Sequence, residues 1–201
     1  MTVNKSVLIE QIQRDLEAFA TRGVIKDVQE IDALAHIEAY ERLWEQPIEE
    51  LVVSFGERDV RKDIVCDVLE TNDVALSHDT EFIYGYRGDD LSYEALIERY
   101  ADLVGDPLSE LSYEIDGDWS AQEEVRIVLC CGNVRAEDTA EYNRDWADTG
   151  MLIDLFNRLL SRLEDPRRLR YVPVGEGTDT HVFVLHTEHT EFVKQYFSEI
   201  D

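Results

Sequence analysis

Lysine is nearly missing from this chain. It occurs at positions 5, 26, 62 and 194 only, so that arginine supplies 15 of the 19 basic residues. Basic residues of both kinds are outnumbered by 45 Asp and Glu, which sets the net charge at -26. A surface this poor in cations cannot neutralise a phosphate backbone, so no direct nucleic-acid binding is expected. Cysteine is also scarce. The three present cannot all pair internally, no two stand in a C-x-x-C spacing, and neighbours Cys130 and Cys131 point to opposite faces of a predicted strand. They read as reduced thiols. No apolar run approaches the length of a membrane span, and no charged segment leads into an apolar stretch at the start of the chain. Neither a membrane role nor export is expected. With only 4 Pro and 10 Gly, no low-complexity linker divides the sequence.

What is present is acid, spread along the whole length rather than gathered in a tail. This composition resembles that of proteins from salt-in halophiles, archaeal ones above all. The physics agrees with the resemblance. Such a surface repels itself in dilute buffer, whereas at molar salt the screening length falls to about 3 Å and the repulsion fades. The setting it implies is the cytoplasm of a salt-in halophile, or a virion made there. A chain of 201 residues with 44% apolar content can still bury a substantial core.

Hydrophobic spacing predicts four helices first. Residues 5–22 carry Leu8, Ile9, Ile12, Leu16 and Phe19 on one side, and Gly23 suits a helix C-terminus. Residues 31–45 carry Ala33, Ile37, Tyr40 and Trp44. Pro47 opens a third helix through Ile48, Leu51, Val52 and Phe55, and a fourth follows with Val60, Ile64, Val65, Val68 and Leu69. A strand is expected near 81–87 and a helix over 91–104. Gly105-Asp106-Pro107 is the best candidate boundary, between a mainly helical region (1–105) and a hairpin–helix–hairpin–helix region (106–201). We expect these to form one compact unit.

In the second region, Leu152, Leu155, Phe156, Leu159, Leu160 and Leu163 define a helix apolar over much of its girth, and therefore central. Asp148 or Thr149 caps its start and Pro166 blocks its continuation. The hairpins on either side look alike. Leu111, Tyr113, Ile115 and Gly117 match Leu169, Tyr171, Pro173 and Gly175 at an offset of 58, and Val125–Cys130 matches His181–His186 at an offset of 56. Residues 132–147 read as a polar loop, and a final helix carries Phe192, Val193, Tyr196 and Phe197. The fold class is therefore α+β, with a helical N-terminal half packed on an antiparallel sheet made of two hairpins around a central helix.

No catalytic or metal-binding pattern stands out in the sequence. His181, His186 and His189 lie close in sequence, but His181 and His186 fall on opposite faces of a strand. The Cys131-Gly132 strand end has no basic neighbour before Arg135 to activate a thiol. Asp116-Gly117-Asp118 is the chemistry of a hairpin turn. No catalytic, cofactor-binding or metal residue is assigned, and no cofactor is expected. One local feature departs from its background: Arg158, Arg162, Arg167, Arg168 and Arg170 concentrate guanidinium groups where the rest of the chain is anionic. Alternation along the strand puts Arg168 and Arg170 on one face, and the five are expected to bind a partner, several of them through one exposed surface.

The reading that follows is a non-enzymatic protein that works by assembly with a protein partner or with itself. The order helix, hairpin, helix, hairpin resembles that of small neck and tail components of tailed viruses, which implies a virion assembly role in a halophilic setting. Two alternatives belong to other classes. One is a small-molecule enzyme with a cleft between the helical half and the sheet, and the other is an acidic DNA-mimic inhibitor.

Overall fold

The computed structural model of the protein describes residues 4–26, 31–79, 92–117, 124–140, 147–174 and 179–198. In chain order the elements begin with helices α1 (Lys5–Thr21), α2 (Ala33–Trp44), α3 (Ile48–Phe55) and α4 (Glu57–Thr71). Strand β1 (Ala75–Asp79) and helix α5 (Tyr93–Val104) come next, then strands β2 (Leu111–Asp116), β3 (Val125–Cys131) and β4 (Val134–Ala140). Helix α6 (Thr149–Arg162) leads to β5 (Arg167–Tyr171), β6 (Asp179–His186) and α7 (Thr190–Ser198). The class is α+β, as the sequence pattern requires. Two compact units result. One consists of Met1–Ala75, Pro173–Gly177 and Glu191–Asp201, the other of Leu76–Val172 and Thr178–Thr190. Gly105-Asp106-Pro107 lies inside the second unit, between α5 and β2. None of the helices among the described residues is long and apolar enough to cross a membrane.

The first unit is helical. Leu8, Ile12, Leu16 and Phe19 are buried along α1, whose start is capped by the Asn4 side chain and whose end meets Gly23 at a φ of 75°. Asp32 caps α2 through the N–H groups of Leu34 and Ala35. The run Leu51-Val52-Val53 is helical, as its spacing predicts. The C-terminal helix α7 joins these N-terminal helices rather than the hairpins: Phe19 meets the rings of Phe192, Tyr196 and Phe197 edge-on, at 4.9, 5.0 and 6.4 Å. Polar ties reinforce the packing. Asp15 on α1 accepts from Tyr196 at 2.8 Å and pairs with Arg61 of α4 at 2.9 Å. Glu41 on α2 accepts from Lys5 at 2.7 Å and from the Ile48 N–H at 2.9 Å. Partial burial raises the Glu41 carboxyl pKa, yet the hydrogen bonds from Lys5 and Ile48 outweigh it and hold the group below its ordinary value. The core stripe stops short of the ends of α2 and α3. Trp44 and Phe55, expected on the buried faces, are the last residues of their helices and are each 46% exposed.

The second unit corrects the single sheet expected from the sequence. Its hairpins belong to two separate three-stranded sheets, ordered β2-β3-β4 and β1-β6-β5. In each, a third strand pairs with the second strand of the hairpin. One of these, β4, occupies residues expected to form a loop. Its alternation is real, with Ala136 and Ala140 buried and Arg135, Glu137 and Thr139 exposed. Alanine, Glu and Asp are poor strand formers, so composition hid it. The turn that makes it is Gly132-Asn133, with Gly132 at a φ of 55°, as two-residue hairpins with glycine first require. The other added strand, β1, was likewise not foreseen. The strand expected near 81–87 lies outside the described residues.

Helix α6 packs on β3 and β4 of one sheet and on β5 of the other. Leu152, Leu155, Phe156, Leu159 and Leu160 are fully buried in one core with Leu129 and Ala136 of the first sheet and Leu169 and Val182 of the second. Tyr100 of α5 joins this core edge-on to Phe156 at 5.6 Å. Asp148 caps α6 through the Met151 N–H, and Asn157 holds both backbone groups of Leu169.

The likeness between the hairpins does not extend to their register. Leu111 pairs with Cys131, whereas Leu169 pairs with Val184 and not with Thr187, which the two offsets would demand. A shift of three is odd, and an odd shift exchanges the faces of a strand. The second strands show the result: Ile127 and Leu129 of β3 enter the core around α6, whereas in β6 Val182 and Val184 do so, not the matched Phe183 and Leu185.

Candidate functional site: an arginine groove

On α6 the apolar face turns inward, and Asp154, Asn157, Arg158, Ser161 and Arg162 fall on the remaining side. Strand β4 runs beside this face. Pleating turns Asp138 toward the helix, where it pairs with Arg158, and turns Arg135 and Glu137 to the outer face of the sheet. Glu137 takes two guanidinium groups on one oxygen: Arg126 from β3, and Arg135 at 2.8 Å. The hydrogen bond and charge of Arg126, followed by the charge of Arg135, hold the Glu137 carboxyl below its ordinary range.

Two adjoining grooves, of about 550 and 310 Å³, run along this surface. Arg158 and Arg162 line both. In the larger they meet Asp138, Asp154, Asn157 and Ser161, so positive and negative charges balance there. In the smaller they meet Arg135, Ala136 and Glu137; with Asp138 paired to Arg158, three guanidinium groups stand there against two carboxylates. On a chain of net charge -26 such a place is an exception. Arg162 donates to the carbonyl oxygen of Arg135 and has no carboxylate partner among the described residues.

Of the five arginines singled out by their sequence density, Arg158 and Arg162 line the grooves and Arg167, Arg168 and Arg170 do not. Arg158 and Arg162 come together, Arg135 lines the smaller groove with them, and Arg126 is tied to that groove only through Glu137. Arg167 is tied to Asp165, by its backbone N–H at 2.7 Å and by two side-chain bonds at 3.2 and 3.0 Å. Burial acts to raise the Asp165 pKa, but these bonds and the charge of Arg167 outweigh it and keep the group below its usual value. Arg168 donates to the carbonyls of Asp165 and Arg167 at 2.6 and 2.5 Å. Arg168 and Arg170 do share a face of β5, opposite the one that turns Leu169 toward α6, and both are half-buried rather than exposed. Arg170 Nε is buried with no hydrogen-bond partner among the described residues. Arg135 and Arg126 carried no sequence signal once β4 was read as a loop. With the strand assigned, alternation alone would have put Arg135 beside Glu137 on the outer face.

The cysteine and histidine candidates stand apart from this groove. Cys131 is buried and donates to the Pro107 carbonyl at 3.3 Å, so the strand end offers no exposed thiolate. Cys130 and His186, aligned by the hairpin likeness, sit in different sheets. His186 and His189 lie ring to ring at 5.6 Å, and His189 Nε2 is 3.6 Å from Glu188. No family model matches the chain, and neither a curated protein nor a solved structure matches it.

Proposed function

We propose that the protein is a non-enzymatic assembly protein whose contact surface is the groove formed by Arg135, Arg158 and Arg162. The observation that carries this reading is that Arg135 of β4 and Arg158 and Arg162 of α6 line one groove, with Glu137 and Asp138 as the carboxylates beside them. Guanidinium groups bind carboxylates in two-pronged fashion and are favoured at protein interfaces. The occupant is therefore a carboxylate-bearing protein surface. The lysine-poor, acidic composition supports a salt-in halophile as the setting. The resemblance in element order to neck and tail components of tailed viruses supports a virion as the assembly.

The test is Arg158→Glu combined with Arg162→Glu. Both side chains lie on the exposed side of α6, and exposed charges contribute little to folding. The double variant is expected to keep its far-UV circular dichroism and its melting curve at molar salt, yet to lose the partner that wild type retains in a parallel pulldown. Retention of the same partner at wild-type strength would remove the groove from the contact.

A further inference from the structure

The first unit carries a surface of the opposite character. Seven large hydrophobic side chains are exposed among the described residues, and four of them lie at the C-terminal ends of two helices, Leu43 and Trp44 on α2 and Val53 and Phe55 on α3. The Trp44 and Phe55 rings touch, with centroids 5.2 Å apart, and Tyr40 extends the cluster at 6.2 Å from Trp44. Leu43 and Val53 stand out furthest, at 76% and 75% exposure. Isolated exposed apolar residues are ordinary, but an aromatic pair flanked by exposed aliphatic side chains marks a contact surface. The surrounding charge is acidic. Glu45 follows α2, Glu49 and Glu50 lie in the first turn of α3 and Glu57 opens α4, against Arg42 and Arg58.

We propose that this aromatic corner is the docking site for the arginine groove of a second copy of the same chain. The inference rests on the reading of the groove as a contact surface and supplies its occupant. Charge complementarity carries it: one unit presents carboxylates near exposed rings in the sequence, and the other presents three guanidinium groups against two carboxylates, Glu137 and Asp138. Arginine also matches the rings themselves, since guanidinium groups stack on aromatic faces with their charge over the ring. The chain already uses this pairing internally, with the Arg22 guanidinium 4.1 Å from the centre of the Phe192 ring. Because the two surfaces differ, the contact is heterologous. Each copy offers a corner to one neighbour and a groove to another, so growth continues until a ring closes or a filament forms.

Two broken versions of the full chain test this. One is Trp44→Ala with Phe55→Ala, backed by Leu43→Glu with Val53→Glu at the two most exposed positions in case loss of the aromatic pair disturbs the helices. The other is Arg158→Glu with Arg162→Glu. Mass is followed by light scattering over a range of protein and KCl concentrations, with folding checked by circular dichroism. Wild type is expected to grow past the dimer as concentration rises. Each variant alone is expected to stay monomeric, with association weakened about tenfold to a hundredfold or more. Mixed, the two variants retain one intact corner and one intact groove between them, so they should form dimers of one copy each and stop there. A wild type that remains monomeric throughout overturns the second-copy inference and leaves the groove to its own pulldown test. Loss of assembly in the corner variants alone, with the arginine variant growing like wild type, overturns both the pairing and the groove reading. A mixture that yields no dimers overturns the head-to-tail contact.

Discussion

The side-chain amide of Asn157 stands against Leu169 as the next strand of a sheet would. Its Oδ1 accepts the Leu169 N–H at 2.8 Å, and its Nδ2 donates to the Leu169 carbonyl at 3.0 Å. β5 is an edge strand, and a residue of α6 closes that edge at its midpoint. On the other flank of the helix, Arg162 donates to the Arg135 carbonyl of β4, which among the described residues is an edge of the sheet β2-β3-β4. One helix thus covers an open edge of each sheet with its polar side chains while its apolar face fills the core between them. Covered edges do not recruit foreign strands.

Asn157→Ala removes both bonds and leaves a backbone donor and acceptor of a half-buried strand unpaired. The expected cost is about 1–3 kcal/mol in denaturant unfolding. Asn157→Asp should be no milder, because a carboxylate keeps the acceptor, loses the donor and faces the carbonyl. Wild-type stability in either variant would mean that water serves the edge equally well.

Leu159→Ala, in the fully buried face of α6, should cost roughly 2–5 kcal/mol. Two residues beyond the helix, Glu164 sits at a φ of 60°. Glu164→Ala keeps a Cβ in that left-handed conformation and should change little. Glu164→Gly removes it and should gain up to about 1 kcal/mol. Equal melting temperatures for the Leu159 and Glu164 variants would contradict the placement of α6.

Glu41 sets a pH dependence for the first unit. Its folded pKa lies below the unfolded value of about 4.3. Its contribution is therefore present in full above that unfolded value and is lost as pH falls through the folded one. Glu41→Gln should lower stability at neutral pH by about 1.5–3 kcal/mol. The difference from wild type should shrink as both are taken to lower pH. A constant gap between the two melting curves from pH 7 to strongly acidic buffer would argue against the carboxylate as the cause.

Salt should matter more than any single residue. With a net charge of -26, stability is expected to rise steeply from dilute buffer toward molar KCl, where screening reaches about 3 Å. A flat melting temperature across that range would remove the halophilic premise.

The helices were legible because their signal is local. The stripe through Leu8, Ile12, Leu16 and Phe19, or through Leu152, Leu155, Phe156 and Leu159, repeats within a few residues and matches what is buried. β4 was not legible, since Ala136, Glu137, Asp138 and Ala140 carry no strand propensity and become a strand only by pairing with β3. For the arginines, strand alternation correctly placed Arg168 and Arg170 on one face. Exposure of that face is a tertiary property, and the run of arginines from 158 to 170 turns a corner that separates its two ends. Asn157 looks like any polar residue of an amphipathic helix until β5 is set beside it.

The order of the second sheet has a consequence for how the chain folds. β2, β3 and β4 follow one another and can zip as soon as their turns close. β1 ends at Asp79 but pairs with β6, which begins at Asp179, so their pairing encloses α5, the whole first sheet and α6. Loop-closure entropy and the slowness of distant pairings place that strand among the last to join. In pulse-labelled hydrogen exchange during refolding, the amides of β3 should gain protection well before those of β1, and the sheet β1-β6-β5 should spend the interval as a two-stranded hairpin with Phe183 and Val184 waiting for their final neighbour.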